Sequence, residues 1–235
     1  MKKILLVFDG NHFSEGAFRM ATFLNEFEPI LATGVFLQPI DYRDIVGYSG
    51  MGTATPITVA PPQSDEGLIN RNMRYFEQKC QHAGLEFRSH RDTDLFALQE
   101  LQTETRFADL MILSSEIFYE NVGKEQPNDY LEKVLRQTEC PVLLVPEKYP
   151  LPSRIMLAYD GKADSVFAIK QFTYLFPQWF HWETKLISLE EENEPLPHQE
   201  LIEELAAKHF SNLTLEAVTH ETADTFANWV DEQTE

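Results

Sequence analysis

The chain has few of the patterns that mark membrane, secreted or metal-binding proteins. Its longest apolar runs, such as Ile4–Phe8 and Val142–Val145, are far shorter than the ~20 residues of a membrane-spanning helix. The N-terminus lacks the small-residue cleavage site of a signal peptide. Cys80 and Cys140 lie far apart, and neither belongs to a CxxC or Cys/His spacing. We therefore expect a cytoplasmic protein with reduced thiols, no membrane partner and no metal site.

Basic residues are also scarce. The chain has 19 Lys and Arg against 38 Asp and Glu, a formal net charge of −19. Residues 1–150 carry 22 acids and 14 bases, while residues 151–235 carry 16 acids and 5 bases. A surface this acidic repels phosphate backbones and anionic lipids. No nucleic-acid partner is expected.

The sequence repeats itself after 151 residues. Ile4–Gly10 falls on Ile155–Gly161, so an apolar strand and an Asp-Gly turn occur twice. Further matches follow on the next segment: Ser14 with Ser165, Ala17 with Ala168, Thr22 with Thr173 and Leu24 with Leu175. This pattern indicates duplication of an α/β domain.

Strand-like and helix-like segments alternate along the first half. Short apolar runs predict strands covered on both faces, and capping and glycine signals predict the helices between them. The predicted strands are 3–8, 30–37, 85–90, 109–114 and 141–145, and the predicted helices are 14–27, 64–84, 92–107 and 127–138. This order predicts a parallel sheet with helices on both faces and right-handed crossovers.

The second half begins in the same way and stays partial. Strands are predicted at 154–159, 183–189 and 213–219, and helices at 165–176, 198–209 and 223–232. The segment Glu147–Pro152, with two prolines, is predicted to be a linker. We therefore predict a complete domain over 1–147 and a partial second copy over 153–235.

Three segments of the first half resemble the universal stress protein family. They are the opening strand and turn (Ile4–Ala17), the fourth strand (Asp109–Ser114) and the ending V-L-R-Q-T-E-C-P-V-L-L-V-P (Val134–Pro146). The resemblance covers residues 1–146, with 154–232 as a partial second copy. It implies a Rossmann-like, adenine nucleotide alpha hydrolase-like fold with strand order 3-2-1-4-5. It also implies a non-catalytic stress-response protein.

Nucleotide-binding members of that family hold ATP with a Gly-rich loop after the fourth strand. Here Ser114–Tyr119 stands where the first glycines belong, and Asn128-Asp129 stands at the later Gly-[Ser/Thr] position. Bulky and acidic side chains in this loop oppose the close approach of backbone N–H groups to phosphates. ATP is therefore not expected in the usual mode, and no cofactor is assigned.

A degenerate adenine-nucleotide site remains the alternative. The family positions that contact adenine and ribose match Asp9 and Val35, so the candidate residues are Asp9, Val35, Ser114, Ser115 and Asn128. The competing interpretation is that Asp9 begins a strand-to-helix turn and Val35 belongs to the core. The long loop Gln38–Gln63 is a further candidate contact region.

Catalytic and metal-binding patterns are weak. The sequence has no G-x-S-x-G elbow, and a hydrolase of the same superfold lacks a nucleophile–base pair here. His90 with Asp92 and Asp94 is the one histidine cluster worth testing, and chance proximity explains it better. We expect instead a protein that acts through association. The strands Val142–Val145 and Arg154–Tyr159 are expected at sheet edges, where pairing between chains would give a homodimer or strand-exchanged assembly.

Overall fold

The computed structural model describes residues 1–9, 12–37, 66–92, 97–115, 135–190 and 197–219. The chain divides into two compact units, Met1–Pro150 and Leu151–Glu235. The division falls inside the predicted linker Glu147–Pro152. Within the described ranges, no helix combines the length and the apolar character needed to cross a membrane.

The first unit contains a five-stranded parallel sheet in the order β3-β2-β1-β4-β5. This confirms the predicted order. The strands are β1 (Lys2–Asp9), β2 (Ile30–Leu37), β3 (Glu86–Asp92), β4 (Leu110–Ser114) and β5 (Val142–Val145). The helices are α1 (Glu15–Phe27), α2 (Glu66–Ala83) and α3 (Ala97–Thr105). Residues 135–137 are also helical.

Successive side chains of β1 enter two different cores, because strand residues alternate between the faces of a sheet. Leu5 and Val7 pack in a cluster that includes Leu101 of α3. On the opposite face, the ring of Phe8 stacks on Phe36, with ring centroids 4.9 Å apart. Phe76 of α2 closes that face, because its ring packs against both Phe8 and Phe36. The sheet is therefore covered on both sides, as the continuous apolar strands predict.

Local signals explain the ends of the helices. The Ser14 side chain caps α1 by accepting a hydrogen bond from the Ala17 N–H at 3.0 Å. Gly84 follows α2 with a φ of 66°, a left-handed conformation that glycine adopts without a steric penalty. Strand β3 extends beyond its predicted end at His90 because Arg91 and Asp92 continue the pairing with Phe36 and Leu37.

The second unit contains three parallel strands in the order β6-β7-β8. They are β6 (Arg154–Tyr159), β7 (Glu183–Glu190) and β8 (Asn212–Thr219), accompanied by α4 (Ala163–Leu175), a 3-10 turn (Pro177–Trp179) and α5 (Gln199–His209). Strand β6 has the bounds predicted from the sequence. The predicted helix 223–232, most of the predicted helix 127–138 and the loop Gln38–Gln63 lie outside the described residues.

Gly34 on β2 gives a test of the aromatic core. A Cβ atom added there would lie 2.8 Å from the Phe76 ring of α2. We expect Gly34→Ala to destabilise the protein by roughly 1–3 kcal/mol in urea denaturation, because the ring cannot retreat from a filled core. In a Phe76→Leu background the same substitution should cost less. Equal losses in the two backgrounds would contradict this account.

Candidate functional site

The carboxyl ends of β1 and β4 form the best-defined candidate site of the first unit. The chain runs from β1 outward to β2 and β3, then returns to place β4 and β5 on the other side of β1. The connections after β1 and β4 therefore diverge at this point. Open α/β sheets bind ligands in the crevice that such a reversal of strand order creates.

The structure brings three of the predicted residues to this edge. Asp9 is the last residue of β1, and Ser114 is the last residue of β4 and fully buried. The next residue, Ser115, is half-buried, and its N–H donates to the Val145 carbonyl at 2.9 Å. Asn128 lies outside the described residues.

Val35 is placed differently from the other candidates. It sits in the middle of the sheet opposite Val7 of β1, two residues before β2 ends. Its side chain is 0% exposed and belongs to the core cluster that contains Leu5 and Leu101. A valine in this position stabilises the sheet through burial, as the competing interpretation of Val35 proposes.

The N-terminus of α1 lies at the same edge, and side-chain oxygens of the protein itself accept hydrogen bonds from its first N–H groups. Besides the Ser14 cap, the Glu147 carboxylate accepts a hydrogen bond from the Gly16 N–H at 3.1 Å. The first N–H groups of a helix have no partner within the helix and carry partial positive charge, so they attract anions. Here the carboxylate that follows β5 takes the place that an external anion would use.

Residues 146–149 pack directly against α1. A Cβ atom at Gly16 would lie 2.2 Å from the Pro146 carbonyl oxygen, so only glycine permits this approach. The Tyr149 hydroxyl donates to the Gly16 carbonyl at 3.0 Å. Arg19 donates to the Tyr149 carbonyl at 2.6 Å, and its guanidinium carbon lies 5.4 Å from the centre of the Tyr149 ring. Burial raises the pKa of Tyr149, although the charge of Arg19 opposes the shift.

These contacts were missed by sequence reasoning, which assigned Glu147 and Tyr149 to an interdomain linker. The structure shows that the chain remains attached to the first unit through Tyr149. One signal was available, since a glycine in the first turn of a helix invites close approach by another segment.

The other chemically reactive groups of the described residues do not form a metal or thiolate site. No three His, Cys, Asp or Glu side chains in the described ranges are grouped to hold a metal ion. His90 Nδ1 lies 2.5 Å from Glu104 Oε1, and Asp94 lies outside the described residues. Burial raises the pKa of the Cys80 thiol to about 12 and also raises the pKa of Cys140.

Comparison with known proteins identifies the fold. No protein-family model matches the chain, and no curated protein matches its sequence. Among solved structures, a universal stress protein from Archaeoglobus fulgidus DSM 4304 aligns with 99% of this chain and 82% of its own, with a TM-score of 0.60 and 15% identity. The chain has the fold of the universal stress proteins.

Two further solved structures align with part of the chain. A universal stress protein from Archaeoglobus fulgidus covers 62% of this chain and 93% of its own, with 12% identity and a TM-score of 0.40. One from the same organism in complex with dAMP covers 62% of this chain and 98% of its own, with 13% identity and a TM-score of 0.39.

The contact at the start of α1 predicts a stability effect. Glu147→Gln keeps an acceptor for the Gly16 N–H but removes the negative charge. We expect it to lower the free energy of unfolding by about 0.3–1 kcal/mol, the usual contribution of an anion at a helix N-terminus. Glu147→Ala should cost more, because the hydrogen bond is lost as well.

The matched control is Glu86→Gln, which removes an exposed carboxylate at the start of β3. Urea denaturation at neutral pH measures all three variants. If Glu147→Gln and Glu147→Ala are both as stable as Glu86→Gln, the carboxylate does not stabilise α1.

The raised thiol pKa values predict low reactivity. At pH 8 the folded protein should react with an aromatic disulfide reagent more than about a hundredfold slower than the unfolded chain, because the thiolate is the reactive form and both thiols are buried. Spectrophotometric titration with and without denaturant measures this ratio. Rapid reaction of one thiol in the folded protein would show that it is accessible and ionised.

Proposed function

We propose that the chain is a non-catalytic stress-response protein of the universal stress protein type, which does not bind ATP through a Gly-rich phosphate loop. The shared fold supports the class of protein. The observation that carries the proposal is the hydrogen bond from the Gly16 N–H to the Glu147 carboxylate. It lies at the switch point of the sheet, the place beside the ends of β1 and β4 where the strand order reverses.

A triphosphate at this point would meet unfavourable charge. The Glu147 carboxylate already accepts from the helix N-terminus, and a phosphate placed nearby would lose that donor and approach a like charge. The loop that follows β4 adds to this argument at the level of sequence, because Ser114 and Ser115 replace glycine at its start and Glu116 follows them. A phosphate group would need to displace Glu147 to use α1.

The absence of catalysis is part of the proposal, and it is supported by the two thiols and by the two serines described at the end of β4. The two thiols are buried, with raised pKa values. Ser114 is fully buried, and the half-buried Ser115 hydroxyl lies 3.5 Å from a backbone carbonyl oxygen, that of Val145. A carbonyl oxygen cannot remove a proton from a serine, so this contact gives no activated nucleophile.

A second candidate function is a sensor of small adenine ligands. It is favoured by the position of Asp9 and Ser115 at the ends of adjacent strands, where α/β sheets bind ligands. A ligand with a short phosphate tail, such as AMP, would avoid much of the repulsion that opposes a triphosphate. In this function the adenine and ribose would contact the strand ends, and the start of α1 would stay occupied by Glu147.

Thermal denaturation tests the proposal. Millimolar ATP should raise the melting temperature by less than about 1 °C, since only a ligand that binds the folded state stabilises it. AMP and a cyclic nucleotide are measured alongside, and a saturable shift with either of them would favour the sensor. Incubation with ATP should release no phosphate above the rate in buffer.

The Glu147→Gln variant serves as the matched comparison. An ATP-dependent shift in that variant but not in the wild type would identify the Glu147 charge as the reason for exclusion. A saturable ATP-dependent shift in the wild type, or an adenine nucleotide that remains bound through purification, would overturn the proposal.

A further inference from the structure

Three aromatic rings lie around a lysine ammonium where the start of α1 meets α2. The Nζ atom of Lys79 is 5.6 Å from the centre of the Phe13 ring and 5.0 Å from that of Phe18. The third ring is that of Tyr75, at 5.2 Å, which stands four residues before Lys79 on the same face of α2. A cation within about 6 Å of a ring centre is attracted to the face of the ring. We call these three rings the aromatic cage.

The rings of the aromatic cage form separate walls. The Phe13 and Tyr75 rings meet at 80° with their centroids 4.9 Å apart, and the Phe13 and Phe18 rings are inclined by 46°. Phe18 is buried, whereas Tyr75 is 42% exposed. The side chain of Lys79 is also partly exposed. Its flexible four-carbon stem therefore allows the ammonium to leave the aromatic cage for solvent while α2 stays folded.

A carboxylate completes the aromatic cage. Glu15, the first residue of α1, accepts a hydrogen bond from the Tyr75 hydroxyl at 2.9 Å through Oε1 and one from the Lys79 ammonium through Oε2. Desolvation lowers the pKa of Lys79, but the hydrogen bond and the negative charge of Glu15 raise it by more, so that it lies above its ordinary value. At neutral pH the aromatic cage therefore holds a cation.

Rings combined with a carboxylate favour one class of ligand. A primary ammonium is strongly hydrated and loses much of that hydration between aromatic rings. A quaternary ammonium spreads its charge over methyl groups and is weakly hydrated, which is why aromatic cages recognise choline-like groups. The net charge of −19 also attracts small cations to the chain and repels anions. The chemistry of the aromatic cage therefore suits a quaternary ammonium better than the lysine that fills it.

We propose that the aromatic cage is a binding site for a small quaternary ammonium compound, and that Lys79 is the internal occupant which this compound displaces. The methyl groups of the ligand would contact the three rings, its charge would face Glu15, and Lys79 would turn to solvent. Because the ligand binds only when Lys79 has left, its apparent Kd is the intrinsic Kd divided by the fraction of vacant cages. The site does not involve Glu147 and Gly16, so it is independent of the proposed function.

Titration calorimetry of the full chain with choline chloride tests the proposal, against sodium chloride at equal ionic strength. The wild type should bind choline saturably, with a Kd on the order of millimolar because Lys79 competes. Lys79→Ala should bind it about tenfold more tightly or better, since the internal occupant is gone. The neutral compound 3,3-dimethylbutan-1-ol has the shape of choline without its charge. It should bind both proteins at least about tenfold more weakly than choline does.

A ring substitution gives a second readout. Tyr75→Leu should weaken choline binding by about tenfold, because leucine offers no aromatic face to the cation. Tyr174→Leu on α4 is the matched control, since Tyr174 is also an exposed tyrosine on a helix and lies outside the aromatic cage. This control should keep the wild-type affinity. The comparison remains informative even if Lys79→Ala fails to fold, which circular dichroism would reveal.

Displacement of the lysine can be measured directly in the wild type. Saturating choline should raise the rate at which acetic anhydride modifies Lys79 by about threefold or more, because the amine leaves Glu15 and loses its protonated form more readily. Peptide mass spectrometry measures this rate. The exposed Lys170 of α4 serves as the internal reference, and its rate should not change.

Several results would contradict the proposal. They are no saturable binding of choline by the wild type, equal affinity in the wild type and Lys79→Ala, equal binding of choline and its neutral analogue, and equal losses in Tyr75→Leu and Tyr174→Leu. Binding to phosphatidylcholine vesicles without binding of free choline would also exclude a small-molecule site. Charge-dependent binding that Tyr75→Leu weakens and Lys79→Ala strengthens would establish the site.

Discussion

The first unit depends on the pairing of β1 along both of its edges. Every residue from Ile4 to Phe8 is at most 1% exposed, a degree of burial that a strand reaches only when neighbours and helices enclose it. The backbone groups of β1 need partners on both sides, because an unpaired N–H or C=O in this interior would cost free energy. Strand β4 supplies the second partner. Its placement creates the reversal of strand order at which the candidate site lies.

The closing of the first unit also determines which groups lie at the start of α1. Once β5 pairs with β4, the chain leaves the sheet beside the start of α1, and Gly16 permits it to pass at contact distance. Glu147 then reaches the first N–H groups of the helix. In many nucleotide-binding α/β proteins those groups hold phosphate. Here one contact both secures the end of the domain and neutralises the anion-binding end of the helix.

Sequence patterns predicted the strands well because burial dictates their composition. The apolar runs identified β1, β2 and β6 with bounds that agree with the structure to within a residue. The order of the first sheet came from the family resemblance, since periodicity alone does not specify neighbours. The contact between Glu147 and Gly16 was missed because it joins residues that lie 131 positions apart. A Pro-containing segment after a strand is also typical of a linker, which concealed its packing role.

The candidate site shows a second limit of sequence reasoning. Asp9 and Val35 match positions that bind nucleotide in the resembling family, yet position does not determine accessibility. Val35 is enclosed by side chains from other strands and from α3, and only the assembled core reveals this. A match to a family position therefore does not by itself show that a residue can reach a ligand. Function must be argued from the groups that remain exposed at the switch point.

The two units differ in how fully their first strands are buried. Strand β6 repeats β1 in sequence, but its residues alternate between buried and exposed, with Ala158 exposed where the matching Val7 is buried. Helix α4 likewise carries large aromatic side chains where α1 carries glycine and alanine. Phenylalanine at the position of Gly16 would prevent the close approach that completes the first unit, because its ring would occupy the path of the chain. The second unit therefore cannot be closed by the contact that Gly16 makes in the first unit.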